Sequence, residues 1–156
     1  MTYLWRSILP TIAICISGYG QATQAPATPD ELNYFRFILL HLGELNSPSA
    51  VATYEAQLAR NFALNAQEVA VIDAAARDMA STLGQIRTSL NTITAGKTSL
   101  LPSDNAAAAQ LSAQREQKIA SLANQILNSV RPEAATRLRE PGHIVAKGLT
   151  RSLGGK

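Results

Sequence analysis

From Val69 to Ile93 the apolar side chains recur at steps of three and four: Val69, Ile72, Ala76, Met79, Leu83, Ile86, Leu90 and Ile93. Held over four repeats, this spacing keeps one stripe of a long helix turned toward a partner. Asn65 stands where a helix cap belongs, and Glu68 three residues on completes a capping box. Gly96 supplies a left-handed stop. A helix running unbroken to Ala95 has about 30 residues and a length of about 45 Å. Gly84 interrupts the pattern, either as a tolerated cost of about 1 kcal/mol or as the mark of a close helix crossing. Few charges flank the seam, so its expected partner is a neighbour in the same chain first, and a second copy in a homodimer second.

The segments on either side read as helices that pack on this rod. Thr28-Pro29-Asp30-Glu31 is a helix start: a hydroxyl to cap, proline in the first turn, and two acids at the positive end of the dipole. Leu32, Phe35, Ile38, Leu39, Leu42 and Leu45 form an apolar face, which Tyr34 and Phe37 widen. Ser47-Pro48 repeats the device, and Val51, Tyr54, Leu58 and Phe62 line one side of a second helix. After a loop from Lys97 to Pro102, Ser103 and Asp104 open a helix striped with Leu111, Ile119, Leu122, Ile126 and Val130. Its length suits an antiparallel return along the rod. Pro132 starts a short last helix through Glu140, with Leu138 inward, and Pro141-Gly142 stops it. The predicted fold is all-α, an elongated hairpin or bundle of about five helices.

Composition thins that picture. Twenty-six alanines favour helix and close approach but contribute little burial, and only five aromatics follow residue 22. All five lie between Tyr34 and Phe62, filling the thick end of a core or forming an apolar cradle. Residues 1–22 have the plan of a secretory signal: Arg6, an apolar run from Ser7 to Ser17, then small residues. Cleavage is expected after Ala22 rather than Ala25, which Pro26 follows. The run is too short for a spanning helix, and Pro10 interrupts it. Cys15 lies inside it without a small residue before it, so the mature chain is expected to lack cysteine and disulfides. The organisation is thus a signal peptide at 1–22, a disordered Pro/Thr/Ala linker at 23–29, a helical domain at 30–140 and a tail at 141–156. The address is periplasmic or secreted.

The chain carries 14 Lys and Arg against 11 Asp and Glu. Loss of Arg6 with the signal leaves a net charge of +2. The excess sits at the C-terminal end, where Arg131, Arg137, Arg139, Lys147, Arg151 and Lys156 face only Glu133 and Glu140. So sparse a patch, without stacking aromatics, excludes a nucleic-acid footprint. In the tail, Val145, Leu149 and Leu153 recur at four-residue steps, with Lys147 and Arg151 elsewhere on the turn. This is either a loosely docked terminus or a basic amphipathic segment for a membrane surface or an envelope partner.

Catalytic signatures are missing. His41 and Glu44 reverse the order of a Glu-x-x-His metal motif, which has no second copy, and His143 is isolated. No nucleophile elbow or phosphate loop occurs. The expectation is a non-enzyme without cofactor or metal. Two helix starts, Leu64-Asn65-Ala66-Gln67-Glu68 and Val130-Arg131-Pro132-Glu133-Ala134, resemble degraded Leu-Thr-x-x-Gln signatures of the Spy-type periplasmic stress proteins. The first has asparagine for threonine and glutamate for glutamine; the second keeps only its Pro-Glu. The order of elements over residues 30–140 is similar. That resemblance implies an exported helical protein of a family that includes ATP-independent chaperones forming cradle-like dimers. The expected client surface comprises Tyr34, Phe37, Tyr54 and Phe62, with Arg115 and Lys118 bordering the helical stripe. The expected docking tail comprises Val145, Lys147, Leu149, Arg151 and Leu153.

Overall fold

The computed structural model describes residues 24–141, which form an all-α bundle of five helices. These are α1 (Pro29–Glu44), α2 (Pro48–Phe62), α3 (Ala66–Thr94), α4 (Pro102–Ser129) and α5 (132–141). The expected signal and all but the first residue of the expected tail lie outside the described residues.

The rod predicted from the seam is continuous. α3 is a single helix of 29 residues. Its capping box closes in both directions: Asn65 Oδ1 accepts from the Glu68 amide at 2.9 Å, and Glu68 Oε2 accepts from the Asn65 amide at 2.8 Å. None of the eight seam residues is exposed, but their cover thins along the rod. Ile72, Ala76 and Met79 are buried, whereas Leu83, Ile86, Leu90 and Ile93 are half-buried. α4 returns antiparallel along the whole rod, while α1 lies across the first half of both helices. Phe35, Ile38, Leu39 and Leu42 of α1 there meet Ile72, Met79, Ile119, Leu122 and Ile126 in one core. Beyond Leu83 only two helices remain, an arm whose tip exposes Leu100 and Leu101.

The close helix crossing is at Gly43 rather than Gly84. A Cβ on Gly43 would stand 2.9 Å from the Ala76 carbonyl oxygen and 3.3 Å from the Ala80 Cβ, whereas one on Gly84 would meet nothing within 4 Å. The two glycines therefore predict opposite outcomes. Gly84→Ala gains intrinsic helix propensity and should stabilise by about 1 kcal/mol. Gly43→Ala forces α1 away from the α3 backbone and should destabilise by about 1–2 kcal/mol despite the same propensity gain. Urea denaturation of the two variants measures both signs.

Several ends differ from the sequence reading. Ser47 makes no capping bond; its hydroxyl instead meets the Ser49 hydroxyl at 2.8 Å. α4 begins at Pro102, one residue before Ser103. Its start is closed by Asp104, whose carboxylate accepts from the Leu101 amide at 2.9 Å and from Lys97 Nζ at 2.7 Å. α5 runs through Pro141 instead of stopping at Glu140. Ala63, which ends α2, has φ +49°, a left-handed conformation that favours glycine.

The expected disordered linker is docked where it is described. The Ala27 amide donates to Asn124 Oδ1 at 2.8 Å and the Gln24 amide to Asn128 Oδ1 at 3.2 Å. Two asparagines one turn apart on α4 thus hold the extended segment, and Arg139 donates to the Ala25 carbonyl from α5.

Candidate functional site

Four of the six expected surface residues come together between α1 and α2. Tyr34 meets Phe62 edge to face with ring centroids 6.0 Å apart. Phe37 stacks on His41 at 5.7 Å with the rings nearly parallel. His41 in turn meets Tyr54 edge to face at 4.8 Å. These arrangements suit aromatic quadrupoles. The four do not share one exposure. Phe62 is buried and belongs to the core, Tyr34 and Tyr54 are half-buried, and Phe37 is 60% exposed.

Phe37 thus departs from the sequence reading, which placed it on the inward face. With helical steps of about 100°, it sits well round from the Phe35–Ile38–Leu42 stripe. α2 does not close over it, because α2 buries only its last turns, through Leu58 and Phe62. Burial raises both tyrosine pKa values: Tyr34 is pushed up to about 12, first by desolvation and then by neighbouring Tyr54, and desolvation raises Tyr54 as well. Both phenols therefore stay neutral and act as apolar rings with one polar end.

Between α1 and the free half of α2 lies an open cleft of about 350 Å³, with His41 and Leu45 on one side and Ser49, Thr53, Tyr54 and Gln57 of α2 on the other. A second cleft, of about 310 Å³, lies on the two-helix arm and is floored by Ile93, Ala107 and Leu111. The stacked rings and the exposed phenylalanine distinguish the first.

Arg115 and Lys118 stand apart from this face and are engaged in ion pairs. Lys118 Nζ reaches Asp78 of α3 at 2.7 Å. Arg115 donates twice to the neighbouring Glu116, which also receives Arg36 from α1. Arg36 first and Arg115 second hold the Glu116 carboxyl below the usual range.

The basic C-terminal end is likewise spent internally as far as it is described. Arg131, Arg137 and Arg139 all turn onto the bundle. Arg131 Nε and Nη2 donate to the two oxygens of Glu68 at 2.8 and 3.0 Å, and its own amide donates to Oε1 at 2.9 Å. Arg131 also caps α2 through the Ala63 carbonyl at 3.1 Å, and Arg137 reaches the Phe62 carbonyl. Arg139 donates to Glu31 Oε2 at 2.7 Å. Both carboxylates are buried capping-box glutamates at the third position of their helices. Arg131 first, then the Asn65 and Arg131 amides, hold the Glu68 pKa down to about 2 against the opposing cost of burial. The two short stretches that resemble Leu-Thr-x-x-Gln signatures therefore lie side by side, joined by Glu68 and Arg131.

Sequence reasoning missed Arg131 and Arg139 as structural ties because their partners are 63 and 108 residues away. The acids were visible as helix-start residues; nothing local in the sequence pairs them with α5. The expected docking residues Val145, Lys147, Leu149, Arg151 and Leu153, and His143, lie outside the described residues. Among the described residues, no three His, Cys, Asp or Glu side chains gather as a metal ion requires, and no helix is long and apolar enough to cross a membrane. No family model matches the chain, nor does any curated protein or solved structure.

Proposed function

We propose that this chain is an exported, cofactor-free binding protein, an ATP-independent chaperone of the Spy kind, that takes apolar polypeptide segments on the outer face of α1 and α2. One observation carries the reading: Phe37 is 60% exposed yet held flat against His41, which is itself braced by Tyr54. A large apolar ring fixed in solvent loses little further freedom when a partner covers it, the property that makes aromatic anchors effective at interfaces. The open cleft beside it gives an extended segment room to lie. The export step rests on the signal-like pattern of residues 1–22. The kinship rests on the two helix-start motifs and on the helical order.

The test is suppression of aggregation of a chemically denatured client, without ATP, by equimolar protein. The native chain should suppress it, and Phe37→Ser should lose most of the effect while keeping its helix content. Truncating a hot-spot aromatic costs about 2 kcal/mol or more of binding, or some thirtyfold in affinity. Absence of suppression by the native chain removes the proposal. Equal suppression by Phe37→Ser moves the binding surface elsewhere.

A further inference from the structure

The outer stripe of α1 reads Asp30, Tyr34, Phe37, His41 and Glu44, at helical steps of four, three, four and three. Tyr34 is half-buried and the other four are exposed. Asp30 and Glu44 therefore close the two ends of an aromatic stretch, about 21 Å apart along the helix axis. Neither has an ion pair among the described residues, whereas Glu31, Glu68, Asp73, Asp78, Asp104 and Glu116 each receive a cation there. The cations of α1 and α2 do not offset the two acids. Arg36 is held by Glu116, and Arg60 turns back to the Ala56 carbonyl of its own helix at 3.3 Å.

The aromatic centre of the stripe favours the same charge in an occupant. His41 covers one face of the Phe37 ring, and with 60% of the residue in solvent the other face is open. The face of such a ring is the negative part of its quadrupole and attracts cations. An uncharged apolar segment would cover Phe37 but leave both carboxylates without a partner. An acidic segment would be repelled from both ends. Apolar side chains between two cations match the stripe along its whole length.

The spacing follows from the two backbones. An extended chain rises about 3.3 Å per residue, so about six steps span the distance between the acids. Alternate side chains of that chain share a side. The first and seventh therefore fall at Asp30 and Glu44, and the third and fifth fall over Tyr34, Phe37 and His41.

We propose that this face selects extended segments with Lys or Arg six positions apart and apolar residues at the third and fifth positions between them. The inference rests on the binding role proposed above and names the class of polypeptide that the face takes: apolar strands with basic ends, in preference to apolar strands in general.

The test is fluorescence anisotropy of three labelled peptides with the full chain. The first has lysine at its first and seventh positions, phenylalanine at the third, leucine at the fifth and serine elsewhere. The second has glutamate in place of both lysines. The third keeps both lysines but sets them side by side at one end. The first peptide should bind about tenfold more tightly than the second and about threefold more tightly than the third, the scale of two exposed ion pairs. Both advantages should vanish in the double variant Asp30→Asn with Glu44→Gln, whose helix content circular dichroism checks. Equal binding of all three peptides, lost in Phe37→Ser, overturns the charge selection and leaves the binding role standing. A lysine advantage that survives the double variant also overturns it, because other acids would then supply the attraction. Binding of none of the peptides overturns it as well; whether the binding role falls too is read separately from suppression of client aggregation by the native chain.

Discussion

Lowering the pH from about 5 to about 2 should strip up to about 3 kcal/mol from the native chain through Glu68 alone, and Glu68→Gln should lose that part of the dependence. The carboxyl titrates near 2 in the folded protein against an ordinary value of 4.5. A depressed folded pKa means that the unfolded chain binds the proton more readily. The stabilisation is therefore complete above about pH 4.5 and is lost as pH falls toward 2. Burial alone pushes a carboxyl the other way, so the direction records the strength of the surrounding donors: both guanidinium contacts of Arg131, its amide, and the Asn65 amide. Arg131 is half-exposed, and solvent screening makes the figure an upper one. Glutamine keeps the shape and still accepts the Asn65 amide but has no charge to lose. Urea denaturation at closely spaced pH values separates Glu68 from Asp104 and Glu116, whose depressed carboxyls contribute to the acid slope of both proteins. Parallel curves for native chain and variant would show that Glu68 is not the titrating group.

Arg139→Ala should be the more damaging single change, lowering stability by about 3 kcal/mol and the Tm by about 12 °C. Its guanidinium is mostly buried against a Glu31 carboxylate that is 2% exposed. Removing the cation takes the Arg139 guanidinium from a buried carboxylate that still accepts from the Thr28 amide, the costly way to break a buried pair. The change also frees the Ala25 carbonyl, so residues 24–28 lose one of the ties that hold them on α4 and α5. Amide exchange at Ala27 should accelerate in the variant. Replacing both partners, as Glu31→Gln with Arg139→Met, should cost less than Arg139→Ala alone, because no charge remains to be buried. Arg137→Ala is the control; its contact to the Phe62 carbonyl is long at 3.4 Å. A Tm for Arg139→Ala within a degree or two of that control would mean the pair contributes little.

What the sequence revealed and what it hid divide by range. The seam of α3, its capping box and the capped start of α1 were legible because each is settled within a few residues of chain. The Asp73–Arg77 pair belongs to the same class and forms at 2.8 Å. Phe37 misled because periodicity says which residues share a side but not how far the neighbouring helix extends. Gly84 stayed open between two readings because a glycine inside a helical pattern has the same signature in open water as at a crossing; the structure bears out the tolerated one, and only the position of α3 against α1 marks Gly43. Asn124 and Asn128 gave no signal at all. An asparagine on a helix becomes a receptor for a distant backbone only when that backbone passes by.

The two buried glutamates have a consequence for the order of events in the life of the chain. Each belongs to a helix made early, and each waits for an arginine made late. Until residues 131–139 have left the ribosome, both anions lack the cations that satisfy them, and the amino-terminal half has reason to stay loose. Docking of the α5 arginines on the two helix starts is therefore the step that closes the bundle.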